Sequence, residues 1–168
     1  AAVLTVLGIW STETLSGSIE EIVDENYQKA RISKEIESQL IRISRAEKSL
    51  IIVKTNADRE KLVKSIEASR ARAEALIGDL EQAVGTPAPA AEGDQPATGE
   101  VAEGEEQQPP SEAESLQSFI TAYKVYMKTN GEVQEAALAG KQRRAMSKSL
   151  KKGQRELDAA EEKISAIV

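Results

Sequence analysis

The chain has 168 residues and is 40% hydrophobic, 30% charged and only 3% aromatic; that is one domain's length and the balance of long helices packed side by side, not of a sandwich or a doubly wound sheet. It contains no cysteine and no histidine, which excludes disulfides and thiolate or imidazole metal ligands and removes the usual general base and pH switch. The net charge of −6 belongs to one stretch, because residues 85–111 carry six acids and no Lys or Arg while the remainder sets 22 acids against 22 bases, so nothing favours nucleic acid as a partner.

The first ten residues, AAVLTVLGIW, are apolar or small. They are too few to cross a bilayer, which needs about 20, and they lack the basic start of a leader peptide. Trp10 followed by STET resembles the end of a membrane helix at the headgroup layer, where Trp is enriched. At the other end KISAIV stops in mid-pattern. The expectation is a single domain, 1–168, lying between two membrane segments, with 1–10 the end of a truncated transmembrane helix. The alternative is an apolar helix start in a soluble protein.

Helix one is predicted over about 11–55, with a seam of Ile19, Ile22, Asn26, Lys29, Ser33, Ile36, Leu40, Ile43, Glu47 and Leu50. Its middle is polar, and a polar seam weakens packing and can set register. Asn26 is therefore a candidate switch residue. Helix two, about 58–84, repeats Leu62, Ile66, Ser69, Ala73, Leu76 and Leu80 in steps of four and three. A linker over 85–111 holds all five prolines and four of the ten glycines and cannot bury a core, so it is expected to be disordered. Helix three, about 112–139, carries Leu116, Ile120, Tyr123, Met127 and Asn130; helix four, about 142–168, carries Met146, Leu150, Gly153, Leu157, Ala160, Ile164 and Ile167. Four heptad stripes predict an all-α, antiparallel up-down-up-down four-helix bundle. Thr55, Asn56 or Asp58 can cap helix two, and Gly140 can end helix three, which leaves Gly131 inside it.

Two levels could hold an anion. Counted from the turns at 1.5 Å per residue, Arg42 meets Arg70, Tyr126 and Gln154, with Arg45 nearby; two guanidinium groups and a phenol suit a small carboxylate. The alternative is that these residues face water. Helix four opens with Lys141, Arg143, Arg144 and Lys148 and has no acid until Glu156. Cations there oppose the helix dipole, so an anionic ligand, or acids on helices one and two, should compensate them. Glu47 lies on the inner seam at the height of Lys148–Lys151. It is expected to be a buried acid paired with a Lys or Arg across the bundle, fixing register and acting as a switch if the pair can exchange. Leu50 and Ile51 should face the core, with Ile52 and Val53 turned to a second copy.

The stretches RAEKSLIIVKTNADREKL (45–62) and VQEAALAGKQRRAMSKSL (133–150), with a long first helix and a second hairpin, resemble the two turns of the periplasmic four-helix-bundle sensory domain of bacterial methyl-accepting chemotaxis receptors. The resemblance implies the periplasmic ligand-sensing domain of an inner-membrane receptor, homodimeric through helix one. The acidic linker departs from the shorter connection of that family. Other readings are the sensor region of a membrane histidine kinase or cyclase, and a structural bundle with no ligand. No motif points to an enzyme, a metal or a cofactor.

Overall fold

The computed structural model describes the backbone of residues 2–85 and 110–167 and, within them, the side chains of Val23 and of residues 25–85 and 110–167. The Trp10 boundary, the side chains of Ile19 and Ile22 and residues 86–109 of the linker lie outside the described residues. Among the described residues no helix is long and apolar enough to cross a membrane.

The described residues form an all-helical bundle of α1 (Ala2–Ile52), α2 (Asn56–Gly85), α3 (Glu112–Leu138), and a last rod made of α4 (Gln142–Lys148) and α5 (Gln154–Ser165) joined through a π turn at Ser149–Gly153. Each boundary has a local cause. The Thr55 hydroxyl accepts the Asp58 amide at 3.2 Å and so caps α2. At α3 a reciprocal capping box joins Ser111 and Glu114, the S-x-x-E pattern that satisfies two orphan amide donors. Gly140 ends the α3 hairpin at φ +73, a conformation open to glycine at little cost.

The seams meet in one core containing Ile36, Leu40, Ile43 and Leu50 of α1, Ile66, Ala73, Leu76 and Leu80 of α2, Leu116, Phe119, Tyr126 and Val133 of α3, and Leu157, Ala160 and Ile164 of α5. Gly131 lies inside α3. Leu50 and Ile51 are buried, while Ile52 is 68% exposed.

The last rod departs from its heptad reading. Gly153, Leu157, Ala160, Ile164 and Ile167 are buried, but Met146 and Leu150 are 38% and 58% exposed, and Ala145 and Ser149 are buried instead. The inward steps from Ala145 are thus 4-4-4 up to Leu157. Steps of four outrun a 3.6-residue turn, and the wider π turn absorbs the extra residue. Asn26 also differs from expectation: it is exposed, while Lys29 and Ser33 are buried. Lys29 reaches across to Glu112 at 2.8 Å and back to Glu25 at 3.2 Å, tying α1 to the start of α3.

Candidate functional site

Glu47 is only 2% exposed. A buried carboxylate needs donors on both oxygens, and two helices supply them. Asn130 Nδ2 of α3 donates to Oε2, and the Ser149 hydroxyl of the π turn donates to Oε1 at 2.6 Å. Gln134 Nε2 in turn donates to Asn130 Oδ1 at 2.6 Å and holds the amide in place. Thr129 Cγ2 and Glu47 Oε1 both lie 3.9 Å from where a Cβ on Gly153 would stand, so the π turn, α1 and α3 close on the carboxyl together.

No Lys or Arg bonds to Glu47 among the described residues, which corrects the expected ion pair. Lys148, the cation expected at that height, is taken by Glu132 of α3, and Lys48 donates to Gln154 Oε1 at 2.8 Å. The height was legible from the turns. The phase was not, because the π turn rotates Ser149 inward and Lys148 aside. Burial pushes the Glu47 carboxyl above its usual range, against the opposing pull of Ser149, Asn130 and the Lys48 charge. The site is therefore a buried acid held by neutral donors, one of which sits on a helical irregularity.

The expected Arg42 level does not assemble. Arg42 and Arg45 are exposed on α1, and Arg70 is exposed on α2, where its Nε pairs with Glu74 at 2.9 Å. Tyr126 is 1% exposed in the core; burial pushes its hydroxyl up strongly, Glu47 adds to this, and nearby Ser44 offsets part of it without forming a well-aligned bond. Tyr126 is packed in the core, whereas the three arginines lie on the surface. Arg143 and Arg144 do come together, with Lys141 and Gly140, around an open depression of about 610 Å³ at the tip. The acids beside this basic end belong to α3, where Glu132 and Glu135 share a second depression with Arg144 and Lys148. Helices one and two were the expected source.

Asn130 and Ser149 are the residues that sequence reasoning did not connect to Glu47. Asn130 had a signal: it is a polar residue on the α3 seam, and a polar residue opposite Glu47 invites pairing. Ser149 had none, since its inward position depends on the π turn.

A model of the family described as "Four helix bundle sensory module for signal transduction" matches residues 1–89. No curated protein and no solved structure matches the chain.

Proposed function

The chain belongs to the four-helix-bundle sensory modules for signal transduction, and from that premise we propose that it is the extracytoplasmic, periplasmic ligand-sensing domain of a transmembrane chemoreceptor, taking a small anionic molecule and passing on a small helix shift. The observation that carries the reading is the double phase of the last rod. Its sequence holds an apolar heptad through Met146 and Leu150, yet the rod packs through Ala145 and Ser149. Removing the π turn would turn α4 by about 100° and slide it about 1.5 Å, one residue's worth of helix.

The energies of the two phases are close. Turning Met146 and Leu150 inward would gain about 1–2 kcal/mol each, less than full burial because both are already partly covered. It would also take the Ser149 hydroxyl from Glu47, at about 1.5–3 kcal/mol for a bond to a charged acceptor. A ligand with modest preference for one phase can then shift the population.

The outward phase also shapes a surface. Met146 and Leu150 meet Ile51 and Ile52 in an apolar groove of about 520 Å³, rimmed by Arg143 and Lys151. Val23, Tyr27 and Ile52 are exposed and lie within about 40° of one another around α1, on a line that also carries the exposed Lys34 and Arg45. This stripe supports a homodimer through helix one, with α4 feeding its phase into the interface.

Deleting Leu150 tests the reading. The deletion restores a 4-3 step from Ser149 to the next seam residue and locks the Ala145–Ser149 phase in a straight α-helix. Nitroxides on Ser49→Cys and Ser147→Cys would report the α1–α4 distance in a chain with no other cysteine. The expected result is a distance that changes with an organic acid in the parent and stays constant in the deletion variant. Equal responses in both would sink the phase shift.

A further inference from the structure

Between α2 and α3, on the side of the bundle away from the π turn, lies a groove of about 490 Å³. Ile77, Ile120 and Met127 make its floor, each less than a tenth exposed. Tyr123 stands among them, 4% exposed, and its hydroxyl is buried without a hydrogen-bond partner. An orphaned buried hydroxyl costs about 1–3 kcal/mol, so a native chain that keeps one leaves a donor for something else to use. Replacing Tyr123 with Phe would keep the packing and remove that cost.

The charges around the hydroxyl say what would use it. Arg70 and Glu74 lie within electrostatic reach of it, as a surface ion pair whose side chains are 53% and 51% exposed. Such a pair is worth little and opens easily. Lys124 and Lys128 line the same rim, and among the described residues neither forms an ion pair. Arg70, Lys124 and Lys128 face two acids, Glu74 and Glu81, so the lining as a whole carries one net positive charge. Burial, with the Glu74 charge adding and the Arg70 charge opposing, pushes the Tyr123 phenol up to about 12, so it remains a donor at any physiological pH.

We infer that the α2–α3 groove is a binding site for a small monocarboxylate with an apolar body, the body lying on Ile77, Ile120 and Met127 and the carboxylate accepting from the Tyr123 hydroxyl and from Arg70 as it swings off Glu74. The inference rests on the reading of the domain as a sensor of a small anion and names that anion's chemistry and place. It also supplies a route. Met127 and Lys128 face the groove, and the next two residues of α3, Thr129 and Asn130, pack on the π turn and bond to Glu47. A ligand that lifts this stretch of α3 disturbs the Glu47 site directly.

Calorimetric titration of the 168-residue chain with benzoate tests it, with acetate and benzylamine as comparators and Tyr123→Phe and Lys124→Met as variants. Benzoate should bind. Acetate, lacking the apolar body, should bind far more weakly, and so should benzylamine, which has the wrong charge. Tyr123→Phe should weaken benzoate about tenfold, the loss of one bond to a charged acceptor, and Lys124→Met should weaken it less. Absence of benzoate binding, equal affinity in both variants, or preference for benzylamine overturns the site. If citrate instead binds and its amide shifts map to Arg143 and Arg144, the groove falls while the sensor reading stands. Benzoate bound in the groove with no change in amide exchange at Ser149–Gly153 would keep the site and remove the helix shift.

Discussion

Ser149 reaches Glu47 from inside a π turn: its hydroxyl donates to Oε1 at 2.6 Å across 102 residues of chain. The contact joins the one buried acid of the α1 seam to the one irregular segment of the last rod among the described residues. The local conformation of the rod and the solvation of the acid are therefore one equilibrium.

Stability should fall with rising pH through the titration of Glu47. Burial raises this carboxyl above the ordinary glutamate range, so between the two titrations the folded chain keeps a proton that the unfolded chain has lost. The contribution is full below the unfolded value and is lost as pH rises through the folded one. Glu47→Gln mimics the protonated acid and should raise Tm at pH 7 by about 3 °C, on the order of 1 kcal/mol, with the gap closing below the ordinary glutamate range. Glu161 is raised as well, by burial first and then by the charges of Asp158 and Glu37, so the parent alone cannot isolate the effect. The difference between parent and variant across pH is the measurement, and a gap independent of pH would refute the assignment.

Ser149→Ala should destabilise the parent by about 1–3 kcal/mol, because it strips a donor from a buried carboxyl. In the Glu47→Gln background the same change should cost less. Chemical denaturation of the four chains gives the coupling energy directly, and strict additivity would mean that the two residues do not share one site.

Leu150→Glu and Ile52→Glu alter exposed positions, 58% and 68% accessible, and should leave the melting of the isolated fold within about 0.5 kcal/mol of the parent. Sedimentation velocity should show each shifting a dimer toward monomer, because each would put a carboxylate into the apolar groove of Ile51, Ile52, Met146 and Leu150. Unchanged sedimentation of both variants would place any dimer contact elsewhere.

Two glycines separate cleanly. Gly131 is inside α3 and a Cβ there would meet nothing within 4 Å, so Gly131→Ala should stabilise the fold by about 0.5–1 kcal/mol. Gly140 has equal space but stands at φ +73, so Gly140→Ala should destabilise by about 1 kcal/mol through backbone strain alone. Thermal melts that moved in the same direction would contradict the turn geometry.

Much of the architecture is legible without coordinates. Leu62, Ile66, Ala73, Leu76 and Leu80 repeat at steps that only a helix can place on one face, and the same argument reaches α3 through Leu116, Ile120, Tyr123 and Met127. Gly140, which the sequence marks as the end of helix three, is the one residue at positive φ among the described residues. Periodicity and turn chemistry are local, so they survive in the sequence. The candidate sites were less legible. Arg42, Arg45 and Tyr126 share a height but not a direction, and height is all that counting from the turns can give.

Residue order alone specifies the helices, their succession, a polar stretch in the first seam and an acid further along it, but not that Asn26 faces outward while Lys29 and Ser33 are buried. What that acid meets depends on how the helices pack. Met146 and Leu150 state an apolar phase for the last rod, and the bundle overrules it, because burying Glu47 between α1, α3 and the last helix demands the hydroxyl of Ser149 and the amide of Asn130. A periodic pattern records which residues prefer to be inside. Where one extra residue in a π turn can exchange two apolar side chains for one hydrogen bond, the preference is settled across the bundle and not along the helix.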